Sequence, residues 1–185
     1  YRNRFVLVDL SLHRSTFDNL TWFAPRVTPG DVPLSASGYF YTGAGTARGA
    51  EVLFQHRSPK QTGSISYTLS QSEQLFPGLE SLSFFGPDDE RHRLKVVESV
   101  NVYRGLNVAA TFWYGSGRPY TPGLAIDSVL LASGLTVDRM LFGSTNTGRL
   151  PRYQRLDLAA QESFTLFGIR STIGATAYNV LDRAN

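Results

Sequence analysis

Apolar and polar residues alternate along this chain with a period of two. From Leu94 the even positions are Leu94, Val96, Glu98, Val100 and Val102, and the odd ones are Arg93, Lys95, Val97, Ser99, Asn101 and Tyr103. Successive side chains of a strand point to opposite sides, so this run predicts one mainly apolar face and one mainly polar face. Past Arg104-Gly105 the alternation resumes, with Leu106, Val108, Ala110, Phe112 and Tyr114 on one side and Asn107, Ala109, Thr111 and Trp113 on the other. Two such runs joined by a very short turn predict a hairpin. Each is close to the roughly 9–11 residues that a tilted strand needs to cross a bilayer. Phe112, Trp113 and Tyr114 cluster at the end away from the turn, a height that suits rings half in water and half in hydrocarbon.

The unit recurs. Arg2 to Leu12 predicts a strand, His13 to Ser15 a short connection, and Thr16 to Ala24 a second strand. Pro25 to Gly45 is rich in Pro and Gly and predicts a long loop. Thr46 to His56 and Gln61 to Ser72 are strands around a turn at Arg57 to Lys60, and Glu73 to Glu90 is a second long connection. After the central hairpin, Gly115 to Pro151 is a third long loop, whose apolar stretch Ile126 to Leu135 fits a strand extension or a short helix. Arg152 to Thr165 and Ile169 to Leu181 are strands around Phe167-Gly168; the facing of the last stays open between Ile173, Ala175, Ala177 and Thr176, Tyr178, Val180. No window keeps an apolar stripe at helical spacing. The expectation is an all-β, antiparallel up-and-down transmembrane β-barrel segment of about eight strands, with residues 1–185 forming a single segment. Connections alternate short and long, which sorts tight turns to one end and long loops to the other, as in outer-membrane barrels.

Composition refines this picture. Hydrophobic residues make up 42% and mean hydropathy is -0.16. No apolar run approaches the roughly 18 residues of a membrane helix, but a barrel strand gives half its residues to a polar lumen and escapes that test. Lys plus Arg is 18 against 15 Asp plus Glu, and no basic run tracks a nucleic-acid backbone, so nucleic acid is not an expected partner. The absence of Cys removes disulfides, thiolate nucleophiles and Cys metal sites. His13, His56 and His92 share no metal-ligand spacing. Asp9 and His13 lie about 13 Å apart along one strand, too far for a dyad. Gly115-Ser116-Gly117 lacks the second half of a nucleophile elbow. No catalytic residue, metal site or cofactor is therefore assigned, and the chain is not read as an enzyme.

The candidate residues are of another kind. Arg93, Lys95, Asn101, Asn107, Thr111, Arg155, Asp157 and Gln161 alternate onto the polar face and are the candidate lumen-facing set. The plainer reading of their charges is a hydrated face with weak mutual ion pairs. Arg118 and Tyr120, in the third long loop, are candidate extracellular ligand contacts. Glu98 and Glu162 fall by parity on the apolar face, where charge is costly near mid-bilayer. Either both reach the interface near a short turn, or a bulge shifts the register.

Several segments carry a family resemblance. Arg48-Gly49-Ala50-Glu51-Val52 with Gly63-Ser64-Ile65-Ser66-Tyr67-Thr68-Leu69-Ser70, then Asp89-Glu90-Arg91-His92-Arg93-Leu94, resemble strands of TonB-dependent outer-membrane receptors. So do Tyr114-Gly115-Ser116-Gly117-Arg118-Pro119-Tyr120-Thr121-Pro122 and Arg149-Leu150-Pro151-Arg152-Tyr153-Gln154-Arg155-Leu156-Asp157-Leu158. Ala177-Tyr178-Asn179-Val180-Leu181-Asp182-Arg183-Ala184-Asn185 resembles the penultimate barrel strand. The resemblance implies a barrel of about 22 strands around a plug domain. It further implies TonB-dependent uptake of a scarce nutrient (siderophore, cobalamin, oligosaccharide or peptide) across the bacterial outer membrane. The implied partners are outer-membrane lipid, the receptor's own plug and remaining barrel strands, the TonB complex, a small nutrient ligand and, as a further candidate, a surface lipoprotein. The chain opens already inside a strand pattern and is expected to be a C-terminal barrel portion lacking the plug and the final strand. The alternative reading is a soluble β-sandwich ligand-binding module, which needs two apolar faces packed on each other. An outer-membrane enzyme would need a nucleophile or a carboxylate–histidine pair that the sequence does not offer.

Overall fold

The structure is a computed structural model that describes residues 5–23, 40–130 and 134–184. The chain is all-β with antiparallel sheets. Its strands are β1 (Phe5–Phe23), β2 (Phe40–Arg57), β3 (Gln61–Leu75), β4 (Phe84–Phe85), β5 (His92–Tyr103) and β6 (Leu106–Gly115). They continue with β7 (Pro119–Tyr120), β8 (Gly123–Leu130), β9 (Thr136–Phe142), β10 (Gly148–Arg149), β11 (Tyr153–Leu166) and β12 (Ile169–Ala177). The main sheet is a meander, β1-β2-β3-β5-β6-β11-β12, with β4 pairing onto the loop end of β3. Among the described residues its outer strands β1 and β12 do not pair with each other, and the sheet they form is open.

Among the described residues seven long strands form this sheet, not the eight expected. The difference lies at His13 to Ser15. These residues continue one strand, paired with Gly49, Arg48 and Ala47 of β2. Nothing in His-Arg-Ser supplies the positive φ or fixed φ that a tight turn demands. The strand instead absorbs an irregularity between Phe17 and Leu20, where Asn19 has φ 56°. Residues 25–39 of the first long loop lie outside the described residues; Phe40 to Gly45 belong to β2. The second connection is shorter than its prediction, because Glu73 to Leu75 stay in β3.

The third connection is structured. β8 and β9 pair as a hairpin, so the Ile126 region is strand and not helix, and β7 pairs with β10. At the chain end the sheet pairing stops at Ala177, four residues short of the predicted Leu181, and Val180 N donates to Leu156 O at 2.8 Å. Asn179, with φ 50°, turns the chain there. The other three short turns fall where expected; Phe167 and Gly168, at φ 50° and 78°, both have positive φ, the hairpin geometry whose twist matches the strands it joins.

The register fixes what parity leaves open. Residues directly paired across antiparallel strands project to the same side. One row runs Leu10, Val52, Tyr67, Leu94, Tyr114, Gln154, and another runs Val6, His56, Gly63, Glu98, Ala110, Leu158, Ala177. Most of the apolar residues thus share one face across all seven strands, while Leu7, Leu53, Val97 and Trp113 lie on the other. On β12 this face carries Ile173, Ala175 and Ala177. The face is open: Val8 is 64% exposed, Leu10 66% and Ile173 65%.

Burial is concentrated elsewhere. Phe76, Leu79 and Phe84, from the loop between β3 and β5, form a small core with Leu20, Trp22 and Tyr41 from the loop ends of β1 and β2. Trp22 packs edge-on against Phe84 at 5.4 Å between centroids, an arrangement aromatic rings prefer.

Candidate functional site

The polar face and the loop cap above it meet at one end of the sheet. All eight candidate lumen residues project from the polar face. Lys95 is cross-strand to Trp113 and Trp113 to Arg155; Arg93 is opposite Gly115; Thr111 is opposite Asp157; and Asn101, Asn107 and Gln161 form one row. The interactions there are local. Lys95 Nζ lies 4.3 Å from the centre of the Trp113 ring, a cation–π contact. Arg155 Nε reaches both carboxylate oxygens of Asp157, at 2.8 and 3.0 Å, and Asp157 Oδ1 also accepts Asn179 N at 2.9 Å. Asn107 Oδ1 accepts Ser99 Oγ at 3.2 Å. Arg93 pairs with Glu90 at 2.8 Å.

Above this face, the loops are locked by one buried carboxylate. Asp89 is 1% exposed. Gly86-Pro87-Asp88 turns the chain so that Asp89 Oδ1 accepts Ser72 N from β3 at 2.7 Å, while Asp89 Oδ2 takes the Arg149 guanidinium from β10. Arg149 Nη1 also donates to Asp89 O at 2.7 Å and Gly117 O at 3.3 Å. The Phe85 ring lies against both Arg149, at 4.8 Å, and Arg91, at 5.4 Å. Asn146 Nδ2 donates to Phe85 O at 2.7 Å, and Glu80 Oε1 accepts Thr145 Oγ1 at 3.1 Å. The loop 76–91 is thereby tied to Gly117 and to the stretch 145–149 of the third connection. A sequence reading weighs Asp89 and Arg149 only as members of separate motifs; their sixty-residue separation hides the pair.

Beside the lock lies an open groove of about 650 Å³. Its walls include Glu90, Arg93, Trp113, Arg118, Arg152 and Tyr153. Two candidates, Arg93 and Arg118, therefore come together. Arg118 is more than half exposed and reaches Asp88 at 3.4 Å. Tyr120 does not join them: it pairs with Gly148, and its ring occupies the space a side chain at Gly148 would need. Arg155, Asp157, Asn101, Asn107, Thr111 and Gln161 lie farther down the face, outside the groove. Such a concave, partly aromatic site with a few charged groups has the chemistry to hold a small ligand carrying negative charge.

The two awkward carboxylates separate. Glu98 Oε2 meets His56 Nε2 at 2.9 Å. The contact crosses over β3 at Gly63, where a Cβ would run into the Glu98 carboxylate and lie 2.6 Å from His56 Nε2. Pairing around Glu98 is regular, and the irregularity of β5 comes only after Asn101, so a bulge does not explain it. Glu98 stays on the apolar face with a partner, which lowers the cost of placing it there. Glu162 sits opposite Ile173 and Leu106, exposed and four residues from the end of β11.

His13 lies against Gly49, and His92 Nδ1 shares a hydrogen bond with Tyr67 Oη at 2.8 Å on the apolar face. Among the described residues, no three His, Asp or Glu side chains are placed to hold a metal ion. Comparison with protein-family models, with curated proteins and with solved structures gives no match.

Proposed function

We propose that this chain is a segment of an outer-membrane β-barrel whose apolar face meets lipid, and that the barrel is a TonB-dependent receptor importing a scarce nutrient. One observation supports the membrane reading most: the apolar band crosses the sheet obliquely. On β1 it runs from Val6 to Leu12. On β11 the row of Leu10 ends at the polar Gln154, and the apolar positions slide toward the short turns, through Leu156, Leu158 and Ala160 and, past Glu162, Phe164 and Leu166. A band at a constant height across strands tilted by about 35–45° must slip along the register in this way.

The open edges favour completion by further strands, since unpaired N–H and C=O groups in lipid cost several kcal/mol each. The groove by Arg93 and Arg118 is the place for nutrient contact, and the resemblance in the strand motifs is what points to TonB. The eight polar-face residues then line the barrel interior, toward the plug. The test is growth on a limiting nutrient in cells with and without a working TonB complex. Growth that requires both this protein and TonB, for one nutrient among siderophore, cobalamin, oligosaccharide and peptide, is expected. Protein that purifies monodisperse without detergent would reject the membrane reading and return the chain to a soluble binding module.

A further inference from the structure

Just outside the apolar band, on its loop side, a row of three residues breaks the pattern of the face. Arg14 is directly opposite Arg48, and Arg48 is directly opposite Gln71. The next row toward the short turns is Leu12, Ala50, Leu69, so the two guanidinium groups stand on the same side as the apolar band and at its rim. Both arginines are exposed. Like charges directly opposite each other in a sheet repel. Elsewhere in the molecule close arginines are matched by acids: Arg93 by Glu90, Arg149 by Asp89, Arg155 by Asp157. Here Arg48 Nη2 donates only to the neutral amide oxygen of Gln71, at 2.9 Å. The nearest acid along the face, Glu73, accepts Gln71 Nε2 at 2.5 Å instead. Among the described residues no carboxylate answers either arginine.

We propose that Arg14 and Arg48 together bind the phosphate of an anionic membrane lipid, whose acyl chains lie down the face over Leu12, Leu10 and Leu69. Arginines at directly paired positions of neighbouring strands are within side-chain reach of one phosphate, and an anion shared by both turns their repulsion into attraction. The apolar rows below select a lipid over a free anion, because headgroup and chains are satisfied at once, at the depth where polar and apolar layers of a bilayer meet. This inference rests on the lipid-facing reading of the apolar band.

The experiment uses the detergent-purified protein and native mass spectrometry, with a diphosphorylated glycolipid (lipid A) and its dephosphorylated form as probes. The phosphorylated lipid should be retained in preference to the dephosphorylated one. Arg14→Ala with Arg48→Ala should weaken its binding by about tenfold or more, whereas Arg57→Ala, at the short-turn end, should not. Both arginines are exposed, so the variants keep the fold, which far-UV circular dichroism checks. Equal retention of both lipids, or indifference to the double substitution, overturns the inference while leaving the membrane reading intact. Displacement of the lipid by millimolar inorganic phosphate would also overturn it, by showing a free-anion site. Protein that needs no detergent would instead overturn the reading beneath it.

Discussion

The sheet and the loop cap are held together in opposite ways. In the seven long strands the only buried positions are glycines, Gly45, Gly63 and Gly115; every side chain keeps contact with the surroundings. Their order comes from backbone ladders running the length of each strand. The cap has short ladders but buries Phe76, Leu79, Phe84, Asp89, Thr145 and Asn146. It is built like the interior of a soluble protein, with aromatic packing and a fully bonded carboxylate. A sheet without an interior is stable only where its apolar face meets something apolar. The cap carries its own core and asks nothing of its solvent but water. The contrast teaches where burial begins: between the exposed row of Leu12 and the aromatic cluster around Trp22, which on the proposed reading is where lipid gives way to water.

Substitutions in the two regions should therefore fail differently. Phe76→Ala removes the most buried apolar side chain of the cap and should cost about 3–5 kcal/mol locally. Limited proteolysis should then cut within residues 76–91 while the strand content of the sheet, read by far-UV circular dichroism, persists. Asp89→Ala leaves Arg149 and the Ser72 amide without their shared acceptor, a loss of about 3 kcal/mol. Faster hydrogen exchange at Ser72 and in β7 and β10 is its signature, again with the sheet retained.

On the sheet the sign of the solvent matters. Val96→Arg, in mid-face, should lower stability in lipid vesicles by about 2–4 kcal/mol, while Thr111→Arg, one row away on the polar face, should change it little. Denaturant titration of the vesicle-inserted protein separates the two. Equal costs at both positions would erase the distinction between faces. Gly63→Ala should show the smallest of the destabilising effects, about 1–3 kcal/mol, by pushing Glu98 and His56 apart. Replacing Glu98 by Gln in the same background should relieve part of that loss, because an unpaired charge no longer remains on the apolar face.

How much of this was legible from the residues follows from the kind of information each part needs. The alternation of Leu94 to Val102 and Leu106 to Tyr114 needs only neighbours in sequence, and the faces of the central hairpin follow directly. The turns at Arg104-Gly105 and Phe167-Gly168 carry their own chemistry. The connection at His13 to Ser15 fails for the converse reason: a change of rhythm is not a turn without a turn residue, and β2 supplies partners straight through it. The Glu98 question could be settled only by register, since its partner His56 lies two strands away and is reached across a missing side chain. The cap was the least legible part. Its order comes from Asp89 and Arg149, far apart in sequence, and from the pairing of β7 with β10, two residues each, too short to leave a period. Of the two loop candidates, Arg118 lines the groove, and Tyr120 is drawn into that same small pairing.

The central claim is that one face of the sheet meets hydrocarbon and the other does not. The chain has no Cys, so each introduced cysteine is a unique attachment point for a nitroxide label. Labels placed one at a time from 93 to 102, in protein inserted into vesicles, should alternate with a period of two. Positions 94, 96 and 100 should be open to oxygen, which concentrates in lipid, and shielded from a water-soluble nickel chelate; positions 93, 95 and 99 should be the reverse. Exposure of both sets to the chelate, or protection of both, would contradict the account.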